Sequence, residues 1–131
     1  MSAILTVRDE SLDRRHAHEW SLDVLTEHLS VRELIRSRIF REVDEYNARR
    51  PHTYRGLIQP PAESRSSRKH DGCGFRAIDG EKQFQLACEA FEAGRLLILI
   101  GDAQADDLDD EFDVCPGTAV TFLRLTVIVG G

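Results

Sequence analysis

Two runs of strand-forming residues, one near each end of the chain, set the strongest limit on its fold. The first covers residues 3–8, and the second runs from Thr118 to Val129 with few interruptions. A strand that is apolar on both faces needs cover on both sides, which favours the interior of a sheet. We therefore expect the last strand to pair alongside the first, at the centre of one sheet.

A hairpin and a helix are predicted to follow the first strand. In residues 19–26, Trp20, Leu22 and Val24 alternate with outward-facing residues, which predicts a second strand. Ser30 and Glu33 then have the spacing of a capping box, which predicts that a helix begins there. Its apolar stripe comprises Val31, Leu34, Ile35, Ile39, Val43 and Tyr46. The helix is expected to end near position 49, because a proline follows at position 51.

Residues 50–94 are interpreted as an insertion that contains a mobile loop and an extra helix. The stretch 60–74 has almost no apolar content, which is typical of a mobile loop. Asp79 is predicted to cap the second helix, and Gly94 to end it in a left-handed conformation. Leu96–Ile100 then predicts a strand that is buried on both faces.

Length, charge and cysteine spacing limit the classes of function that we expect for this chain. The 131 residues fit a single domain spanning 1–131, and a formal net charge of −6 argues against nucleic acid as a partner. No apolar run approaches the roughly 20 residues that span a bilayer, and no secretory signal begins the chain, so we expect a cytoplasmic protein. The three cysteines include no C-x-x-C pair, and no catalytic set stands out; we expect neither a metal site nor an enzyme.

Two weaker patterns in the sequence bear on metal binding. His16 and His18 could share one strand face, but a metal site needs more ligands. Seven acidic residues lie within positions 102–113, called here the acidic segment, and none of its registers supplies both the glycine and the glutamate of an EF-hand loop. We interpret the acidic segment as a solvated surface that can steer a basic partner.

The order of elements resembles the ubiquitin-like β-grasp superfamily, in particular the bacterial sulfur carriers of molybdopterin and thiamine synthesis. The resemblance lies in the capped helix start at 30–34, the acidic stretch at 106–108, the Pro-Gly turn at 116–120 that enters the last strand, and the final Gly130-Gly131. It covers residues 3–49 and 95–131. It implies an α+β fold in which a mixed four- to five-stranded sheet packs on one main helix.

The resemblance also implies a function for the diglycine. Glycines without Cβ atoms can thread a narrow channel, so the Gly131 carboxylate could reach ATP in another protein. The implied role is that of a bacterial ubiquitin-like modifier, itself a substrate and without a cofactor of its own. Its implied partners are an ATP-dependent activating enzyme, a conjugating enzyme and a deconjugating metalloprotease.

Other residues are candidates within this scheme. Lys69 is a possible acceptor of the modifier, and the candidate residues for partner binding are Asp106, Asp107, Asp109, Asp110 and Arg124. We expect Arg124 to face solvent or a partner. Two alternatives remain open: a sulfur carrier that forms a thiocarboxylate at the same terminus, and a β-grasp interaction module that is not conjugated.

Overall fold

The structure, a computed structural model, describes residues 3–11, 18–50, 54, 56–59 and 77–125. These residues form an α+β architecture with a mixed five-stranded sheet, a two-stranded sheet and two helices. The strands are β1 (Ala3–Ser11), β2 (His18–Val24), β3 (His28–Ser30), β4 (Leu96–Ile100), β5 (Ala103–Gln104), β6 (Glu111–Asp113) and β7 (Ala119–Arg124). The helices are α1 (Val31–Arg49) and α2 (Gly80–Glu92). Neither helix in these ranges is long and apolar enough to cross a membrane.

The larger sheet has the strand order β2-β1-β7-β4-β5. Strands β1 and β2 form an antiparallel hairpin, whereas β7 pairs parallel to β1, with Val7 opposite Val120. On its other side β7 pairs antiparallel to β4, with Leu97 opposite Leu123. The prediction that the last strand lies beside the first, in the middle of the sheet, is confirmed.

Helix α1 begins where its sequence signature predicts. The Ser30 Oγ accepts a hydrogen bond from the Glu33 backbone N–H at 3.1 Å, and Glu33 Oε1 accepts one from the Ser30 N–H at 2.8 Å. Each side chain thus satisfies a backbone donor that the helix leaves unpaired. The helix ends at Arg49, and Arg50 adopts a left-handed conformation with φ 52°.

Helix α2 also has the predicted ends. Asp79 Oδ1 accepts hydrogen bonds from the N–H groups of Glu81 and Lys82, at 3.0 and 3.4 Å. Gly94 follows the helix with φ 78°, a conformation that costs glycine little because it has no Cβ. The helix packs beside α1 and buries Ala87 and Ala90 completely, so it contributes to the main core.

The core lies between one face of the sheet and the two helices. In β4, Leu96 and Ile98 are buried, but Leu97 and Leu99 on the opposite face are only half-buried. The prediction that this strand is buried on both faces is therefore wrong. Both helices pack on the face that carries Leu96 and Ile98.

Three short strands were not predicted from the sequence. Strands β3 and β6 form an antiparallel ribbon in which Leu29 lies opposite Phe112, and β5 adds a two-residue edge to β4. The ribbon connects the entrance of α1 to the acidic segment. The ribbon fixes the position of the acidic segment against α1. From the sequence we expected only an acidic connection there.

Candidate functional site at the last strand and the acidic segment

Strand β7 carries the chain towards the predicted activation site. At its end Arg124 lies opposite Ser11 of β1 and Leu96 of β4. The next residue, Leu125, donates its backbone N–H to the Arg95 carbonyl oxygen at 3.1 Å. These contacts fix the point at which the chain leaves the sheet, next to the first residue of β4.

A buried arginine ties β7 to α1. Arg38 is 3% exposed, and its Nη2 donates to Asp9 Oδ2 at 2.9 Å and to Glu42 Oε2 at 3.0 Å. Its guanidinium carbon lies 4.6 Å from the centre of the Phe122 ring in β7. Burial opposes the charge, but the carboxylates of Glu42 and Asp9 outweigh it and raise the pKa of Arg38. The group therefore stays charged inside the protein.

The carboxylates that face Arg38 have further partners. Asp9 Oδ2 also accepts a hydrogen bond from Trp20 Nε1 at 3.0 Å, and Glu42 Oε1 accepts one from the Leu57 backbone N–H at 3.1 Å. The network therefore joins β1, β2, α1 and residues 56–59. Sequence reasoning missed it because the first strand was expected to end at residue 8, before Asp9, whereas β1 extends to Ser11. The signal that could have revealed it is an arginine within the apolar stripe of α1, four residues before Glu42.

The chain enters the acidic segment after Gly101 and re-enters the sheet after Thr118, and both residues lie at the end where β7 begins. The Gly101 N–H donates to the Ala119 carbonyl at 2.8 Å, and the Thr6 N–H donates to the Thr118 carbonyl at 3.2 Å. Gly101 and Thr118 therefore lie at the end of β7 opposite Leu125.

Between these two points the acidic segment docks on the start of α1. The N–H groups of Val31 and Arg32 donate to the carbonyls of Asp110 and Leu108, each at 2.9 Å. The first donors of the helix are thus satisfied by the acidic segment. Its negative charge also lies at the helix end where the macrodipole favours it.

The four aspartates predicted to bind a partner do not have equivalent roles. Asp110 Oδ2 accepts from the N–H groups of Asp106 and Asp107 at 3.0 Å each, and so shapes the loop. Asp107 Oδ1 accepts from the Asp109 N–H at 2.8 Å, and Asp109 forms an exposed ion pair with Arg32 at 3.1 Å. The Asp106 carboxylate is exposed and accepts no hydrogen bond from another described residue.

A histidine bridges two carboxylates of the ribbon. His28 Nδ1 lies 2.6 Å from Asp113 Oδ1, and its Nε2 lies 2.7 Å from Glu111 Oε1. Hydrogen bonds to Asp113 and to Glu111 raise the pKa of His28, although all three side chains are exposed. Only the protonated ring can donate from both nitrogens, so the complete bridge requires the charged form.

A cavity of about 540 Å³ lies between α1 and the adjoining ends of β1 and β2. Its lining includes the aromatic side chains of Trp20, Tyr46 and Tyr54. Sequence reasoning did not predict it, because the lining residues come from four separate stretches of the chain. Taken one at a time, the lining residues predict only whether a side chain is buried or exposed.

The structure places one more predicted residue and leaves three untested. Because alternate residues of a strand share a face, Arg124 lies on the helix-covered face with Val120 and Phe122. It is half-buried there, and the expectation that it faces solvent or a partner stays a prediction. Lys69, Gly130 and Gly131 lie outside the described residues, and their roles stay predictions.

Comparison with known proteins gives no relative on which to base a function. A scan against protein-family models finds no matching family, and searches of curated proteins and of solved structures find no match.

Proposed function

We propose that the chain is a ubiquitin-like modifier with a β-grasp fold, and that the carboxylate of Gly131 is adenylated by an ATP-dependent activating enzyme. The activated carboxyl then forms a thioester on a cysteine of a partner and is finally transferred to a target amine. A metalloprotease that cuts after the diglycine is the proposed means of reversal. In this scheme the chain is a substrate, and ATP belongs to the partner.

One observation carries the proposal: β7 is a central strand, parallel to β1, and the chain continues from its end towards the diglycine. A strand held by hydrogen bonds on both sides is a rigid base for a terminal segment. Six residues follow Leu125, and an extended segment of that length reaches about 20 Å. That reach is enough for a carboxylate to enter a pocket of another protein.

The order of elements gives further support. A hairpin leads into the capped helix α1, and a mixed sheet with a central last strand packs against that helix, as the β-grasp resemblance requires. Helix α2 and residues 50–79 are additions to this plan. We assign them no part in the activation chemistry.

Activation can be tested with purified protein, ATP and a candidate activating enzyme. The proposal requires a free carboxylate at Gly131, so the intact mass of the natural protein is measured first. With ATP present, we expect an adenylate and then an adduct on non-reducing gels that is removed by thiols. Deleting Gly130-Gly131 should abolish both products while the unfolding midpoint remains unchanged.

A disulfide is the product most easily confused with a thioester, and it needs its own control. Cys115 is exposed and could pair with a cysteine of the enzyme. In a Cys73→Ser/Cys115→Ser variant the adduct should persist and should still require ATP. Exchange of sulfur for oxygen at the terminus would favour the sulfur carrier instead. Absence of any ATP-dependent product with the cognate enzyme would overturn the proposal.

A further inference from the structure

The cavity beside α1 has an aromatic wall that suits a planar ligand. Tyr46 and Tyr54 meet edge to face with ring centres 5.1 Å apart, and Trp20 lines the same space. The volume of about 540 Å³ lies within the range of small-molecule sites. Its position between α1 and the hairpin is separate from the start of α1, where the acidic segment docks.

The acidic groups of this cavity already have partners within the protein. Both oxygens of Asp9 and Glu42 accept hydrogen bonds from the buried network around Arg38. Glu45 Oε1 accepts a hydrogen bond from Arg41 Nε at 3.1 Å. Because each of these carboxylates already accepts a charged hydrogen bond from an arginine, a cationic ligand would have to compete with that arginine.

Two basic side chains of the cavity, by contrast, have no partner among the described residues. His18 and Arg49 both line the cavity and are exposed, and neither side chain forms a hydrogen bond or ion pair with another described residue. Arg49 therefore keeps a full set of guanidinium donors, which match a carboxylate in geometry as well as in charge. Counting Arg38 behind the lining, three arginines balance the three carboxylates of the cavity, and Arg49 is the arginine among them that has no ion-pair partner among the described residues.

We propose that this cavity binds a small aromatic carboxylate. The ring of the ligand packs against the Tyr46 wall, and its carboxylate accepts hydrogen bonds from Arg49, with His18 alongside. This binding needs neither the diglycine nor an activating enzyme, so it goes beyond the proposed modifier function and stands or falls separately from it.

The only tryptophan of the chain, Trp20, lines the cavity and provides a direct readout. Benzoate is the probe, with benzyl alcohol and benzylamine as neutral and cationic counterparts and acetate as the carboxylate without a ring. We expect benzoate to change the tryptophan emission saturably up to about 10 mM, a range suited to a fragment of this size. The three other compounds should bind at least about tenfold more weakly, since each lacks the ring or the charge. Calorimetry repeats the comparison without an optical probe.

Two matched charge reversals locate the binding site. Arg49→Glu should weaken benzoate binding about tenfold or more, the loss expected for a charge-assisted hydrogen bond. Arg95→Glu makes the same change at an exposed position outside the cavity lining and should leave binding unchanged. Equal unfolding midpoints of the two variants establish that both are folded.

Three results would each overturn the proposal: no saturable response to benzoate, equal binding of benzylamine, or equal loss of binding in the two arginine variants. Each result can be obtained with the full chain alone. None depends on whether Gly131 is activated.

Discussion

Arg38 remains charged in the protein interior because Asp9 and Glu42 face it, and removing it should be costly. In Arg38→Met the two carboxylates, each 16% exposed, lose their common cation. We expect the free energy of unfolding to fall by about 3–5 kcal/mol, the range for breaking a buried ion pair from one side. Urea denaturation measures the change.

An exposed ion pair provides the control for this prediction. Arg8 pairs with Glu19, and the two side chains are 53% and 63% exposed. Arg8→Met should therefore change stability by no more than about 1 kcal/mol. Replacing the whole network, as Arg38→Met with Asp9→Asn and Glu42→Gln, should recover part of the loss. Similar effects of the two single changes would contradict the assigned role of Arg38.

His28 should make stability depend on pH. Hydrogen bonds to Asp113 and Glu111 raise its pKa in the folded state, so folding favours the protonated ring. The resulting stabilisation is fully present below the pKa of about 6.5 in the unfolded chain and is lost as pH rises through the higher folded value. We expect His28→Gln to lower the urea midpoint at about pH 5.5 and to have little effect at about pH 9.

Removing the two carboxylates that accept hydrogen bonds from His28 tests whether this bridge causes the pH dependence. In a Glu111→Gln/Asp113→Asn background the ring loses both charged partners, so His28→Gln should have the same small effect at either pH. A pH-dependent effect that persists in this background would assign the titration to another group.

At the scale of elements, the acidic segment acts as a cap on α1 as well as a charged surface. Asp110 shapes the segment by accepting two backbone hydrogen bonds, whereas Asp106 accepts none with its side chain. We expect Asp110→Ala to lower the free energy of unfolding by about 1–2 kcal/mol, and Asp106→Ala by less than about 0.5 kcal/mol. Hydrogen exchange at Val31 and Arg32 should accelerate only in the first variant. Equal exchange in both would refute the capping role.

Some of these elements could be predicted from short stretches of sequence, and helix capping and strand burial explain why. The ends of α1 and α2 could be predicted because Ser30, Glu33 and Asp79 cap the helices through contacts within three residues of sequence. The central position of β7 followed from its continuous apolar character. These features depend on neighbours in the chain or on the need to bury a whole strand.

The remaining features depend on residues that are distant in sequence. The ribbon pairs His28 with Asp113, 85 positions away, and three-residue strands are too short to show an alternating pattern. The Arg38 network likewise requires Asp9, 29 positions earlier, which lies beside Phe122 of β7 in the sheet. The cavity could not be predicted for the same reason, since four stretches of the chain contribute to it.

At the scale of the whole molecule, negative charge is concentrated away from the point where the last strand ends. The net charge is −6, and the acidic segment lies between Gly101 and Thr118, which are both at the end of β7 opposite Leu125. An enzyme that recognises the acidic segment would contact the protein at the end of β7 opposite Leu125.

This separation gives a kinetic prediction for the proposed modifier. Asp102→Asn/Asp106→Asn removes two exposed carboxylates that accept no hydrogen bond from another described residue. The double change should slow association with the activating enzyme about threefold at low salt. Added salt should erase the difference, because screening shortens the range of the attraction. Asp23→Asn/Asp44→Asn makes the same change in net charge at exposed positions of β2 and α1, and should have a smaller effect. Stopped-flow association rates decide the question: equal slowing by both pairs would mean that net charge, and not the acidic segment, steers the encounter.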